Sequence, residues 1–353
     1  MATLHLADLG ADVIQVGEPG VEQRPPTLDT ALRAFLFGTI NRNKRAIALD
    51  LKQAAGRDIF LRLAAKADAI VESFRPGVAD RLGVGYEAVR AIHPAIVYCS
   101  ITGYGQTGPQ SEMAGHDINY LALSGVGDQI GVAGGPPAIP NLQIGDLLGG
   151  SLTAVMGILA ALVDARSRGA GRYIDVSMTG SLLAHAVVAR ASMTARGRSP
   201  ERGRDLLTGG LACYNYYLTE DGRYLAVGAL EPKFWHRLCD ALERPDLKSK
   251  HLIFGKEEQK VREELSAIFA AHTMAYWTER LAAADCCVTP VLRPDEVTGD
   301  QAAQFATPLK ISGCEFTVER AAPAPGEHTG EILRDAGCGA GEIEALREAG
   351  VIG

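Results

Sequence analysis

Along the first two-thirds of the chain, apolar positions alternate between two kinds of pattern. Short runs rich in branched residues, at 12–16, 46–51, 69–72, 96–100 and 173–176, predict β-strands. Between them lie longer segments with helical spacing. In 53–67, Ile59, Phe60, Leu63 and Ala67 share one face. Residues 1–9 read as a helix that leads straight into the first strand, and two long helical stretches follow at 147–168 and 177–196. Strands alternating with helices predict an α/β unit built on a mainly parallel sheet.

The pattern then changes. Residues 197–210 (GRSPERGRDLLTGG) are basic and glycine-rich and read as a linker. Beyond them, 214–218 and 223–227 flank the turn TEDG at 219–222 and predict a β-hairpin. Helical periodicity returns at 233–242, 257–272 and 274–284, and proline- and glycine-rich segments follow near 288–299 and 321–326. A second, smaller α+β domain over about 211–300 is expected.

Composition narrows the classes of function. The 353 residues are 47% hydrophobic and 22% charged, ordinary for a globular protein, and the net charge of −7 argues against wholesale nucleic-acid binding. A local basic patch can still hold a phosphorylated ligand. The seven cysteines are odd in number and show no CxxC or Cys/His ligand spacing. Neither a disulfide framework nor a metal site is expected, and a reducing cytoplasm fits. The longest apolar run, 151–163, is interrupted by Gly157 and reads as too short to span a bilayer. The first residues lack the basic flank and apolar stretch of a signal peptide. No membrane partner is therefore expected.

Chemistry-bearing residues have structural alternatives at this stage. Gly103, Gly105 and Gly108 match GxGxxG, but Pro109 follows and no helical pattern opens there, so a plain glycine-rich loop is the better reading. Arg42 and Arg45 lie in a basic cluster, and Arg75 and Arg81 lie in connecting segments. Guanidinium forks in loops at the rim of a parallel sheet suit phosphates, although each can equally be solvated surface. His116 sits in the polar, glycine-flanked stretch AGHDINYLALSG, beside Asp117 and close to Tyr120. Asp146, in QIGDLLGG, precedes a long apolar helix, where it can cap the helix or be held ionised as a base or nucleophile. Glu231 opens EPKFW and can simply start a helix.

The stretch GHDINYLALSG resembles the signature of the α-methylacyl-CoA racemases, a branch of the family III CoA-transferases (the CaiB/BaiF superfamily). LADLGADVIQV, NRNKRAIALDLK, ESFRPGVADRLG, SITGYGQTGP, IGDLLGG, DGRYLAVGALEPKFW, DCCVTPVL and GEHTGEIL are similar in turn, in family order over nearly the whole chain. The resemblance implies a Rossmann-like large domain and a smaller α+β domain in an interlocked-ring homodimer. Its boundaries would be 1–196 for the large domain, 197–212 for a linker, 213–300 for the small domain, 301–320 for the return linker and 321–353 for the end of the large domain. It also implies that the first βα unit of the family is missing here.

By the same resemblance His116 and Asp146 are acid–base residues, with Glu231 placed near the histidine. Arg42, Arg45, Arg75, Arg81, Asp117 and Tyr120 fall in segments that line the CoA site. The expected reaction is epimerisation of a 2-methylacyl-CoA through an enolate, with CoA present only as part of the substrate and no tightly bound cofactor. Backbone N–H groups at the start of the Asp146 helix would hold the enolate oxygen. Two alternatives remain. One is a CoA-transferase, in which Asp146 attacks the thioester and carries acyl and then CoA. The other is an inactive or partial CoA-binding homologue.

Overall fold

Branched residues at the first two strand positions pair in parallel, β1 (Val13–Gly17) with β2 (Lys44–Ala48), in register Val13↔Lys44. Three more form a second parallel sheet in the order β3 (Ala69–Glu72), β4 (Val97–Thr102) and β5 (Arg172–Ser177). The computed structural model describes residues 1–20, 36–298 and 309–353. Among the described residues β1 pairs only with β2 and β3 only with β4, so β1 and β3 are both edge strands. Helix α1 (Ala2–Asp8) touches β1, and its Ala2 and Leu6 pack with Ala69, Val71, Val97 and Cys99 of the second sheet.

These elements belong to the first of two compact units, which comprises Met1–Tyr120, Leu142–Leu182 and Phe305–Gly353. Its helix α2 (Ala54–Ala64) buries Ile59, as its periodicity predicts, and packs with the C-terminal helices around Ile332, Leu333 and Leu346. Each such aliphatic side chain contributes roughly 1.5–3 kcal/mol by leaving water. The basic cluster of Arg42 and Arg45 also includes Lys44. Lys44 and Arg45 stand on β2 itself, and all three are buried.

The helical run ahead of β5 is longer than the sequence pattern predicts. A π-helix, Gly145–Leu152, leads without a break into an α-helix, Thr153–Arg168. The combined helix is long and apolar enough to cross a membrane by length and composition, which corrects the expectation of too short a run. Its two apolar stripes face different surroundings. Ala154, Ile158, Ala161 and Ala165 are buried against β4 and β5, whereas Leu148, Leu152, Met156, Leu159 and Val163 are exposed. The predicted helix at 177–196 is two helices, Met178–His185 and Val187–Arg196, broken at Ala186 with ψ 42°.

The second unit comprises Leu121–Asn141 and Leu183–Gln304. It holds the predicted hairpin, β6 (Tyr214–Leu218) with β7 (Tyr224–Gly228), and a third antiparallel strand, β8 (Val288–Pro290). Trp235, Tyr217, Phe269 and Leu238 centre its core. The units divide elsewhere than at the expected 197–212 linker. That stretch is folded into the second unit: Arg202 donates to the Asp128 carboxylate and the Gly135 carbonyl, and buried Asp205 accepts from Ser192 and pairs with Arg196. Of the expected return linker 301–320, residues 301–308 lie outside the described residues. Farther along it, the N–H groups of Glu319 and Arg320 both donate to Asn43 Oδ1. Asn43 sits at φ 60°, a conformation asparagine tolerates better than most residues.

Candidate active site

All three strands of the second sheet run parallel, so the loops at their carboxyl ends lie on one rim, the usual place for ligands in such a sheet. The loop after β4 starts at Gly103, whose carbonyl accepts from both the backbone N–H (3.0 Å) and the hydroxyl (2.8 Å) of Thr179 beyond β5. Asp175 on β5 accepts the N–H of Gln106 at 2.9 Å. These bonds tie the two rim loops together. No helix follows the GxGxxG stretch until Asp117, so it does not form a dinucleotide turn.

Its first glycine has a packing role instead. A Cβ on Gly103 would lie 2.2 Å from the Tyr120 ring, and one on Gly115 would lie 2.5 Å from the Tyr104 hydroxyl. Tyr104 and Tyr120 meet edge to face at 5.3 Å, and the Tyr120 hydroxyl donates to the Gly115 carbonyl at 2.6 Å. Two glycines and two tyrosines thus brace the segment that carries His116.

His116 is exposed immediately before helix α3 (Asp117–Leu123). Its N–H donates to Asn119 Oδ1 at 3.1 Å, and its carbonyl accepts from the N–H of Asn119 at 2.8 Å. This is one half of a capping box, and it fixes the backbone from which the imidazole projects.

Asp146 does not cap its helix. Ile144 holds the cap position with helical dihedrals, and Asp146 lies in the first turn of the π-helix, a form frequently found at functional sites. The group that reaches the helix start is Asp117, whose Oδ1 accepts the Asp146 N–H at 3.0 Å. A Cβ on Gly145 would come within 2.9 Å of that oxygen, so glycine leaves room for the approach. The Leu147 N–H is taken by the Gln143 carbonyl at 2.8 Å. The two amides nearest Asp146 are therefore already bonded, which corrects the expectation that they wait for an enolate oxygen.

Charges in the site act on one another. Burial pushes the half-buried Asp146 carboxyl above its usual range; the Asp117 carboxylate adds to this, and His116 pulls it back. Burial also raises Tyr120, helped by Asp146, Tyr104 and Asp117. A carboxyl so placed beside an imidazole is suited to taking up and releasing a proton.

The first unit therefore brings His116, Asp117, Tyr120 and Asp146 together. Arg75 and Arg81 follow β3 on the same rim, and both are exposed. Arg42 and Arg45 are committed within the fold. Arg42 forms a two-pronged pair with Asp8 at 3.1 and 2.6 Å, and Arg45 meets Asp12, Glu331 and Asp335 at 2.5, 3.0 and 2.7 Å. Glu231 belongs to the second unit, where it is exposed at the cap position of helix Pro232–Ala241. Sequence reasoning did not single out Tyr104, the packing role of Gly103 and Gly115, or the reach of Asp117 to Asp146. The glycine just before His116 and the tyrosine four residues after it were the available signal.

Among described residues no group of His, Cys, Asp and Glu is arranged to hold a metal ion. The model of CoA-transferase family III matches residues 1–329. The chain is 33% identical over 363 residues to the alpha-methylacyl-CoA racemase of Homo sapiens, covering 98% of this chain and 92% of that protein. It is also 33% identical over 381 residues to the succinyl-CoA:glutarate CoA-transferase of Mus musculus, covering 99% and 86%. A crystal structure of a CAIB/BAIF family protein from Brucella suis matches with a TM-score of 0.78 and 27% identity over 94% of both chains.

Proposed function

The chain belongs to CoA-transferase family III, an enzyme family with racemase and CoA-transferase members, and on that premise we propose that it epimerises 2-methylacyl-CoA thioesters. The observation that carries this reading is the shared field of His116 and Asp146. A carboxyl held above its usual range and drawn down by a neighbouring imidazole is poised to exchange protons. A nucleophilic carboxylate is better served by an environment that keeps it ionised.

In the proposed reaction one of the two groups removes the α-proton. The C–H electron pair moves into the thioester carbonyl to give an enolate, and the other group returns a proton to the opposite face. Each positioned acid–base group contributes ~10²–10⁴-fold in rate. Arg75 and Arg81, exposed on the same rim, are the cations of this reading for the CoA phosphates. Glu231 is the residue that a second copy would bring beside His116. The homodimer is supported by the exposed stripe Leu148, Leu152, Met156, Leu159 and Val163, an apolar face fit to be covered by another chain. All seven cysteines are free thiols, which supports a reducing, cytoplasmic setting.

Equal identity to a racemase and to a CoA-transferase favours a second reading, transfer of CoA between carboxylic acids through a thioester on Asp146. One experiment separates the two. A single 2-methylacyl-CoA epimer incubated in D₂O without an acceptor acid should epimerise and gain deuterium at the α-carbon. No deuterium uptake, with hydroxylamine trapping an acyl group at Asp146 and CoA appearing on an added acid, replaces epimerisation with transfer.

A further inference from the structure

The second unit contains a cavity of about 360 Å³ with strong local charge. Arg196, Arg198 and Arg204 line it from the glycine-rich stretch, and Lys256 and Arg262 line it from helix α4 (Lys256–Phe269). Only two acidic side chains, Glu201 and Glu258, stand on the same wall. Arg196 is paired behind the wall with buried Asp205 at 3.0 Å, so the other four cations against two acids leave two positive charges in excess, on a chain whose net charge is −7. The contacts to Glu201 are slack, with Arg198 at 3.9 Å and Arg204 at 3.4 Å, whereas Arg262 holds Glu258 at 3.2 Å. Helix α4 starts here after Gly255 with no side-chain cap, so its first N–H groups add to the positive field.

Two further features narrow the kind of anion. Glu258 is only 4% exposed; its Oε2 accepts from Arg262 at 3.2 Å, while Oε1 has no hydrogen-bond partner among the described residues. Glu258 borders the cavity, and a small turn of its carboxylate would let a ligand hydroxyl supply the missing donor. Phe254 lines the same cavity and is 58% exposed, offering a ring face to a flat base.

We propose that this cavity is a nucleotide site belonging to the second unit alone. The phosphates lie among Arg198, Arg204 and Lys256, a ribose hydroxyl donates to Glu258, and the base stacks on Phe254. Carboxylate recognition of a ribose hydroxyl and guanidinium recognition of phosphate are each familiar chemistry. A free nucleoside diphosphate and the nucleotide end of CoA share these groups. The site rests on no residue of the first unit.

Hydrogen exchange of the full chain, with and without ADP, tests the assignment. ADP should slow exchange in peptides covering 196–210 and 254–262. The double variant Arg198→Glu/Arg204→Glu should weaken ADP binding by at least tenfold with exchange elsewhere unchanged, because both side chains are largely exposed. A parallel series with CoA separates the sources. Slowing by ADP alone identifies a free nucleotide, and equal slowing by both identifies the CoA head. Adenosine and pyrophosphate given singly should each protect these peptides less than ADP. Unchanged exchange with both nucleotides, pyrophosphate protecting as well as ADP, or ADP affinity unaltered in the double variant overturns the proposal. Failure of the epimerase reading shows instead in the D₂O assay, so the two results are read apart.

Discussion

Asp117 Oδ1 accepts the backbone N–H of Asp146 at 3.0 Å, and the same carboxylate raises the Asp146 carboxyl by its charge. One side chain therefore places Asp146 and tunes it. Asp117→Ala removes both effects. Loss of a hydrogen bond to a charged group, about 1.5–3 kcal/mol, should lower kcat/KM by about 10- to 100-fold. Asp117→Asn keeps an oxygen to accept the N–H but removes the like charge. The Asp146 pKa should then fall. Since a base must be deprotonated, the acidic limb of the pH–rate profile should move to lower pH, with kcat less affected than in the alanine variant.

The arginines fall into two groups with different expected phenotypes. Arg42 and its partner Asp8 have side chains only 10% and 2% exposed. Asp8→Ala takes the two-pronged carboxylate away from a buried guanidinium, at a cost of about 3–5 kcal/mol in urea unfolding. Arg75→Ala and Arg81→Ala should leave the unfolding midpoint within experimental error and weaken CoA binding, measured by calorimetry. Full stability in Asp8→Ala, or normal CoA affinity in the Arg75/Arg81 double variant, would reverse this division.

Gly103→Ala places a methyl 2.2 Å from the Tyr120 ring. Overpacking of this kind costs about 1–3 kcal/mol, and it displaces the ring that braces the His116 segment. Both the melting temperature and kcat should drop. Tyr120→Phe, which removes only the 2.6 Å bond to the Gly115 carbonyl, should cost about 0.5–1.5 kcal/mol and act more mildly.

Local periodicity made most elements legible. Strand β3 falls on the predicted 69–72, and the hairpin β6–β7 lies within a residue of its predicted position. What escaped depends on contacts between distant residues. The stretch 197–210 looked like a linker because its composition is polar. Arg202 and Asp205 nevertheless spend that polarity on partners up to 74 residues away. Asp146 looked like a cap because aspartate commonly caps. The π-turns of GDLLGGSL move the helix start to Ile144 and give the capping bond to Asp117, 29 residues earlier. Arg42 and Arg45 looked like phosphate ligands because the acids that occupy them lie 33 to 290 residues away.

The exposed stripe of the long helix makes a prediction about assembly. Met156 and Val163 are 64% and 73% exposed, so Met156→Glu/Val163→Glu should leave the fold of a single chain unchanged. Buried in a dimer interface, the two charges would be unpaired and strongly unfavourable. Light scattering should show twice the chain mass for the unaltered protein and half that value for the variant. An unaltered protein that is already a single chain, or a variant that stays paired, would assign this face another role.

The break between β1 and β3 bears on how the first unit comes apart. With no ladder hydrogen bonds across it among the described residues, β1–β2 with the C-terminal helices and β3–β5 with the long helix are joined by side-chain packing alone and should open as separate cooperative blocks. The segments carrying His116, Asp117, Tyr120 and Asp146 all follow strands or helices of the second block. Transient opening of the β1–β2 pair should therefore leave these four residues in their places, and native-state exchange should resolve two protection levels where one continuous sheet would give one.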